Sequence, residues 1–339
     1  MKVRFILIIG VWLFLCIGCT KQNSTASHGD NECRTDSLKK SGSINLTESG
    51  ITGVDIIILT DNGLLMHQDY DAENPIYCLR GNDVIKGGSM GQGPDDVLEI
   101  NSLKWSPDKG LYLYDGLKGR ICFYQMEDSV LIMKSAVEVP RFLDDAVLVG
   151  DAVVIFPNIK EYSAAILDGN GAVIDSLMYF PPKPEGFSQQ VHALACTGYT
   201  AELPSGEFAR CVAYDGGVDF YAVENNKLKH INRFSLFDME YTQINQGMDI
   251  PVPSDKSKTG FSIVKSSADK FYASFSDKLA LENPEGLCDK IYQFSKNGEL
   301  EQIYVLDCEF KDFAVNRDNK ELQVLLDEDN NDVIRIYSL

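Results

Sequence analysis

The chain has 339 residues, and its 50 acidic and 31 basic side chains give a formal net charge of −19. This charge disfavours binding to nucleic acid or to anionic membrane surfaces, because both would repel a strongly acidic protein. The length is sufficient for one large β domain or two ordinary domains.

Residues 1–18 have the features of a secretory signal. Lys2 and Arg4 form a basic flank, and residues 5–18 (FILIIGVWLFLCIG) carry no charge. As a helix this apolar run would span roughly 21 Å, whereas the hydrocarbon core of a bilayer is about 30 Å thick. The segment therefore predicts a cleaved signal peptide over 1–18, with an uncleaved anchor as the alternative.

The end of this segment, Cys16-Ile17-Gly18-Cys19, resembles the lipobox of bacterial lipoproteins, with Cys16 where leucine is usual. The resemblance implies that Cys19 becomes the N-terminus and carries several acyl chains, which together anchor a protein stably to a membrane. An ordinary signal peptide without lipidation is the alternative.

Residues 19–43 are expected to form the lipidated cysteine and a flexible tether. The segment is rich in Ser, Asn, Asp, Lys and Gly and has almost no large apolar residue, so it cannot bury a core. No acidic run follows Cys19, although in some Bacteroidetes lipoproteins such a run resembles a surface-export tag. We therefore expect an outer-membrane anchor, with the periplasmic face favoured over the cell surface.

Residues 44–339 have the pattern of an all-β body. Short runs rich in Val, Ile, Tyr, Phe and Leu alternate with turns, and the turns at 61–63 (DNG), 168–171 (DGNG) and 296–298 (KNG) are strong hairpin signals. Residues 237–258 are the least regular part and are expected to form a short helix or a long loop.

The predicted strands form six groups that begin near residues 53, 99, 143, 190, 259 and 309, which corresponds to repeats of roughly 49 residues. Repeats of this length with about four strands are typical of β-propeller blades. The last group supplies three strands, and residues 43–46 are expected to add the fourth and close the ring. The sequence therefore predicts a six-bladed β-propeller closed by an N-terminal strand, with a pair of β-sandwiches as the alternative.

Together these features resemble the TolB-like six-bladed β-propeller lipoproteins of Bacteroidetes. The resemblance depends on the lipobox, the all-β body and residues 91–98 (GQGPDDVL), which are similar to the family's Gly-x-Gly-Pro-x-Glu-Phe motif. Asp96 stands where Glu is common, and Val97 and Leu98 stand where Phe is common. The resemblance implies a fold and a location, and it supplies no catalytic residue.

The same octet contains the candidate ligand contacts, which are Gly91, Gln92, Gly93, Asp95 and Asp96. Its backbone N–H groups could bind an anion at the propeller mouth. However, Pro94 has no N–H and no P-loop Gly-Lys-Ser/Thr follows, so a tight structural turn is the favoured interpretation. The neighbouring Gly-x-Ser-x-Gly pattern around Ser89 is followed by a turn, whereas a nucleophile elbow requires a helix there.

Seven cysteines follow Cys19, and their odd number excludes complete pairing within the chain. Buried free thiols that act as small apolar residues are favoured over structural disulfides. A disulfide is considered first for Cys196 with Cys211, because two adjacent strands could bring them together. The seven residues are Cys33, Cys78, Cys122, Cys196, Cys211, Cys288 and Cys308.

No catalytic residue, metal ligand or cofactor is assigned from the sequence. His67, His192 and His230 are widely spaced in the chain and show no metal-ligand spacing. Residues 327–332 (DEDNND) lack the Gly and Glu of an EF-hand loop. The aromatic residues Tyr112, Tyr114, Trp105, Tyr199 and Tyr221 are expected mostly in the core, although a few at the mouth could stack on sugar rings.

The predicted function is that of a non-enzymatic binding or scaffolding propeller, anchored in the cell envelope, that holds a protein or glycan. The alternative is a propeller hydrolase, either lactonase-like or glycan-active, with a metal in the central channel. That alternative requires several Asp, Glu, Asn or His side chains that converge from the innermost strands.

Overall fold

The computed structural model describes residues 33–68, 73–106, 109–127, 130–158 and 162–339. These residues contain 27 β-strands, one α-helix, α1 (Gln189–Ala195), and one short 3-10 helix (Thr47–Ser49), so the fold is all-β as predicted. In the described ranges, no helix is long and apolar enough to cross a bilayer. The predicted signal peptide and the lipidation site Cys19 lie outside the described residues.

Most strands form six units of consecutive chain, and two further strands precede them. The N-terminal strands are β1 (Arg34–Ser37) and β2 (Lys40–Asn45). Unit 1 contains β3 (Val54–Thr60), β4 (Gly63–Gln68), β5 (Ile76–Arg80) and β6 (Asp83–Gly87). Unit 2 contains β7 (Ile100–Ser106), β8 (Gly110–Asp115), β9 (Arg120–Glu127) and β10 (Val130–Glu138). Unit 3 contains β11 (Leu143–Val149), β12 (Ala152–Pro157), β13 (Ala164–Leu167) and β14 (Val173–Leu177).

The second half of the chain continues this pattern after α1. Unit 4 contains β15 (Gly198–Glu202), β16 (Glu207–Val212), β17 (Gly217–Glu224) and β18 (Lys227–Ser235). A separate hairpin follows, formed by β19 (Thr242–Asn245) and β20 (Asp249–Val252). Unit 5 contains β21 (Lys258–Ser266), β22 (Lys270–Leu279), β23 (Cys288–Ser295) and β24 (Leu300–Phe310). Unit 6 contains β25 (Asp312–Val315), β26 (Glu321–Glu328) and β27 (Asn331–Ser338).

Within each unit the strands pair antiparallel in chain order. Units 1 and 2 are further joined into one eight-stranded sheet, because β6 and β10 form a short parallel pair. Gly87 pairs with Leu131 in this junction, and a Cβ at Gly87 would lie 2.6 Å from the Leu131 carbonyl oxygen. Glycine therefore permits the close approach of the two outer strands.

The N-terminal strands join the end of the chain. β2 pairs antiparallel with β27 and supplies the fourth strand of unit 6, as predicted from residues 43–46. β1 adds a fifth strand to unit 5 by pairing parallel with β24. Strand structure therefore begins at Arg34, earlier than the predicted tether boundary at residue 43. The polar composition was misleading, because backbone hydrogen bonds to an edge strand require no apolar side chain and most of this segment is exposed.

The first strands of the six units contact one another in ring order. β3 contacts β7, β7 contacts β11, β11 contacts β15, β15 contacts β21, and β21 contacts β25. β25 in turn contacts β3, so the last unit lies beside the first. The contacts of the six first strands therefore form a closed cycle.

An apolar cluster fills each of the six boundaries between neighbouring units. The cluster between units 4 and 5 combines Phe220 and Phe234 with Phe261 and Phe294. Corresponding clusters join units 5 and 6, 6 and 1, 1 and 2, 2 and 3, and 3 and 4. The sheets therefore pack face to face around the ring, and burial of their apolar side chains stabilises each boundary.

The predicted turns are confirmed by the strand registers, with residues 61–63, 168–171 and 296–298 each connecting a hairpin. Unit 4 begins later than predicted, since α1 and its flanking loop precede Gly198. The prediction of a helix or long loop at 237–258 was wrong in part, because that segment contains the β19–β20 hairpin. The β19–β20 hairpin contacts α1, and residues around both share a small additional core.

Candidate binding site in the central channel

Three cavities lie along the first strands. One of about 720 Å³ is lined by residues near the starts of β7, β11 and β15, and we call it the mouth cavity. A second, of about 230 Å³, is lined by the first strands of five units, and we call it the channel cavity. A third, of about 310 Å³, is lined by turns that lead from first to second strands, including those at Asp61, Asp151 and Pro204. We call that end of the ring the hairpin end.

Lys104 connects three units at the wall of the channel cavity. It lies on β7, and its Nζ is 2.8 Å from Oδ2 of Asp145 on β11. The same Nζ donates to the carbonyl oxygen of Thr200 on β15 at 2.7 Å. Lys104 and Asp145 are both largely buried, so the pair neutralises two charges that would otherwise be costly to desolvate.

Lys265 makes the equivalent contacts from β21. Its Nζ is 3.0 Å from Oδ2 of Asp312 on β25 and 3.3 Å from the carbonyl oxygen of Ile57 on β3. Oδ2 of Asp312 also accepts a hydrogen bond from the backbone N–H of Ile57 at 2.8 Å. Burial raises the pKa of Asp312, and Lys265 opposes that shift.

A third ion pair lies beside the mouth cavity. Asp144 at the start of β11 is paired with Arg210 of β16 and accepts a hydrogen bond from the backbone N–H of Gly198 at 2.9 Å. Burial raises the pKa of Asp144, whereas Arg210 and this N–H group lower it. The carboxylates on the deep wall of the mouth, Asp144 and Asp145, are therefore both matched by cations.

Tyr199 lies between the mouth cavity and the channel cavity and lines both. Its side chain is 50% exposed, although it lies on an inner strand. Although the residue as a whole is half-exposed, desolvation around its hydroxyl, followed by nearby groups that include Asp312 and Asp55, raises the pKa of Tyr199 to about 12. The hydroxyl therefore stays protonated at neutral pH and can donate a hydrogen bond.

Ser102 provides a second unusual group on the same surface. Ser102 is only 7% exposed and lines both cavities. Within the described residues, its Oγ has no hydrogen-bond partner. A buried hydroxyl normally has a partner, so this side of the site has unused hydrogen-bonding capacity.

Glu202 ends β15 and lines both the channel cavity and the hairpin-end cavity. The Tyr112 hydroxyl donates to its carboxylate. Burial raises the pKa of Glu202 to about 7, while Lys104 and the hydrogen bond from Tyr112 oppose the shift. Glu202 can therefore change its protonation near neutral pH.

The octet at 91–98 forms a tight turn between β6 and β7. Asp96 accepts hydrogen bonds from the Ser89 hydroxyl and from the backbone N–H of Gly93. A Cβ on Gly91 or Gly93 would lie 2.6 Å from Asp96 Oδ2, so glycine is required for this packing. The turn extends from Ser89 without an intervening helix, which supports rejection of a nucleophile elbow.

Side chains of unit 2 hold this turn in place. The Lys118 ammonium donates to the Gly93 and Asp96 carbonyl oxygens, and the Arg120 guanidinium donates to those of Pro94 and Asp96. Gln92 and Asp95 are exposed. None of the five candidate contacts in the octet lines the mouth cavity, so their role in ligand binding stays a prediction.

The seven described cysteines are free thiols. The considered pair does not form, because Cys211 lies opposite Tyr199 in the β15–β16 register whereas Cys196 precedes β15 as the residue that ends α1. Cys196 Sγ instead lies 3.7 Å from Nε2 of the buried His192. Burial lowers the pKa of His192 and raises the pKa of Cys196, so this is a neutral packed pair.

The other histidines are also paired with protein groups. His67 Nδ1 is 2.7 Å from Asp55 Oδ1, and His230 Nε2 is 3.0 Å from Asp219 Oδ1. In the parts of the chain that the structure describes, no group of three or more His, Cys, Asp or Glu side chains is arranged to hold a metal. The acidic segment at 327–332 forms the β26–β27 hairpin, in which Asp327 pairs with Asp332.

No family model and no curated protein matches the chain. Its fold is similar to a solved structure. That structure is of a Bacteroides fragilis NCTC 9343 protein described as exported, with a TM-score of 0.50 and 12% sequence identity. The similarity covers 90% of this chain and 99% of that chain. At this identity the comparison shows a shared fold alone.

Proposed function

We propose that the six units are the blades of a six-bladed propeller of the TolB-like lipoprotein type. The ring order of the first strands and the apolar cluster at each of the six boundaries support this architecture. The pairing of β2 with β27 joins the two ends of the chain in one sheet. Such closure protects sheet edges from pairing with other chains.

The function that the channel supports best is non-enzymatic binding of an envelope protein or glycan at the mouth. The observation that carries this proposal is the half-exposed Tyr199 at the floor of a cavity of about 720 Å³. The carboxylates beside it are paired with Arg210 and Lys104. A concave surface with an accessible aromatic ring and matched charges is suited to holding a ligand.

Glu202 is the observation that favours the hydrolase alternative. A buried carboxyl with a pKa of about 7 has the property required of a general acid or base. Its hydrogen bond from Tyr112 and its position near Lys104 give it a structural role as well. Turnover on a panel of lactones and glycans, abolished by Glu202→Gln, would favour the hydrolase over the binding protein.

We also propose that the protein is anchored in the cell envelope, in the outer membrane, through lipid on Cys19. The basic flank of Lys2 and Arg4, the uncharged apolar run at residues 5–18 and the lipobox-like residues 16–19 support this proposal.

The experiment that tests the binding proposal is crosslinking in intact envelopes followed by affinity capture of the full-length protein. We expect a reproducible partner that is lost when the mouth is altered by Tyr199→Ala with Leu281→Asp. Met178→Asp changes an exposed apolar residue that does not line the mouth cavity and serves as the control. Capture that is equal in all variants would contradict binding at the mouth.

Location is tested separately by Cys19→Ser. We expect this variant to leave the membrane fraction while the mouth and the fold remain unchanged. Retention of the variant in the membrane, with the same extraction by detergent as the original protein, would show that lipid on Cys19 is not the anchor.

A further inference from the structure

We propose that the mouth cavity binds an uncharged, polyhydroxylated ligand, with the chemistry of a neutral oligosaccharide, by stacking it on the ring of Tyr199. This inference rests on the proposed binding function and specifies its ligand. The ring is exposed, the carboxylates beside it are paired with cations, and the Oγ of Ser102, which lines the same cavity, has no hydrogen-bond partner among the described residues.

Tyr199 is unusually exposed for a tyrosine on an inner strand. Tyr199 is 50% exposed. By contrast, three tyrosines on other strands of units 2 and 4 are at most 4% exposed, namely Tyr112, Tyr114 and Tyr221. Exposing an aromatic face to water in a concave site forgoes hydrophobic stabilisation. A sugar ring has a face of C–H groups that can cover this aromatic surface without requiring a charge.

The two carboxylates on the deep wall of the mouth are paired with cations. Asp144 is paired with Arg210, and Asp145 is paired with Lys104. Each carboxylate also accepts a backbone N–H, from Gly198 or from Ala146. On this wall a charged ligand would find its counter-ions already paired, and separating those pairs would be costly. The two other charged residues of the lining, Lys311 and Glu285, have opposite signs. An uncharged ligand avoids that cost.

The mouth also has hydrogen-bonding groups that a ligand could use. Ser102 lines the cavity, and its buried Oγ has no partner among the described residues. A hydroxyl both donates and accepts, which matches the hydroxyl groups of a sugar. The protonated Tyr199 hydroxyl adds a donor, and the carboxylate oxygens of Asp144 and Asp145 retain accepting capacity.

The size of the site agrees with this ligand class. Small-molecule sites in proteins commonly have volumes of about 300–1,000 Å³, and the mouth cavity has about 720 Å³. Its outer wall includes Leu281, which is 61% exposed, together with Pro253 and Pro284. These apolar groups extend the surface against which the C–H faces of further sugar rings could pack.

The test is direct binding by isothermal titration calorimetry, with the full chain purified from membranes in a detergent without sugar groups. The neutral probes are maltotriose, cellotriose and tri-N-acetylchitotriose, and the charged probes are trigalacturonate and the glucosamine trimer. We expect at least one neutral probe to bind, and Tyr199→Ala to weaken it by about tenfold or more, as expected for loss of a stacking contact.

Two further variants separate stacking from damage to the fold. Tyr199→Phe keeps the ring and should retain most of the affinity, whereas Ser102→Ala should lose several-fold because it removes the buried hydroxyl. Phe142→Ala removes an exposed aromatic ring that does not line the mouth cavity and should leave affinity unchanged. Circular dichroism of each variant checks folding.

The proposal is overturned if no neutral probe binds at 10 mM, if Tyr199→Ala binds as well as the original protein, or if a charged probe binds more tightly than every neutral one. If a partner is still captured in envelopes in a way that depends on the mouth, the binding function stands and only the glycan ligand is rejected. If neither a neutral probe binds nor a partner is captured through the mouth, both proposals are rejected.

Discussion

Lys104 and Lys265 make the same set of contacts half a ring apart. Each lysine lies on the first strand of one unit and contacts a carboxylate on the next first strand and a backbone carbonyl on the one after that. Lys104 contacts Asp145 and the carbonyl of Thr200. Lys265 contacts Asp312 and the carbonyl of Ile57. The second set crosses from unit 6 to unit 1. The two lysines therefore form two separate sets of contacts, one that joins units 2, 3 and 4 and one that joins units 5, 6 and 1.

Replacement of Lys265 by Met should destabilise the protein by about 3–5 kcal/mol, because it leaves Asp312 buried without its cation. The loss should increase with pH, since burial already raises the pKa of Asp312 and the unpaired carboxyl would resist ionisation. Urea unfolding at pH 5 and pH 8 measures both effects. The surface pair Lys278 and Glu309 is about 40% exposed, so Lys278→Met should change the free energy of unfolding by less than about 1 kcal/mol.

The pH dependence of stability should change when Glu202 is replaced by Gln. The folded-state pKa of Glu202 is raised to about 7, above its ordinary value of 4.5. Its protonated form therefore contributes stability that is fully present below about pH 4.5 and is lost as the pH rises through about 7. Glu202→Gln cannot ionise, so its stability relative to the original protein should rise between pH 5 and pH 8.

Glu207 provides the matched control for this experiment. Burial of Glu207 would raise its pKa, but hydrogen bonds from Ser205 and Lys296 outweigh burial and lower it. Glu207 is therefore ionised in the folded protein above its ordinary pKa. The stability of Glu207→Gln relative to the original protein should change little between pH 5 and pH 8. Equal pH slopes for Glu202→Gln and the original protein would show that Glu202 does not titrate in this range.

Phe294→Ala should cost about 3–5 kcal/mol, as expected when a buried phenylalanine is truncated. Phe294 is fully buried, and its ring centroid lies 5.2 Å from that of Phe220 and 5.1 Å from that of Phe234, which belong to the neighbouring unit. Chemical unfolding provides the measurement. Met178→Ala, at a side chain that is 76% exposed, should be nearly neutral, and a similar small effect at Phe294 would contradict tight packing between units 4 and 5.

The cysteines should remain unmodified by a thiol reagent in the native protein, apart from the half-buried Cys33 and Cys308. Burial raises the pKa of the Cys122 and Cys288 thiols to about 11, which keeps them protonated and unreactive at neutral pH. Mass spectrometry after alkylation should detect slow labelling at two sites. Under denaturing conditions without reductant all seven should react, and a protected pair there would indicate a disulfide.

Much of the fold could be predicted from local patterns. Apolar alternation and Asn-Gly or Asp-Gly turns identified the strands and hairpins, because backbone conformation at such turns depends on the residues within them. The starts of five units were predicted closely for the same reason. Residues 34–42 were missed, since an edge strand is stabilised by backbone hydrogen bonds that leave no signal in composition. The helix at Gln189–Ala195 was missed because it is too short to show a periodic pattern.

The sequence by itself determined the all-β class, the repeat length and the low content of metal-binding patterns, all of which depend on neighbouring residues. The tertiary structure decided which distant residues meet at the channel. Lys104 and Asp145, or Lys265 and Ile57, lie far apart in the chain and become neighbours because the first strands pack in ring order. The same packing raises the pKa of Glu202 and leaves Tyr199 exposed, since desolvation and exposure depend on every unit that surrounds a side chain.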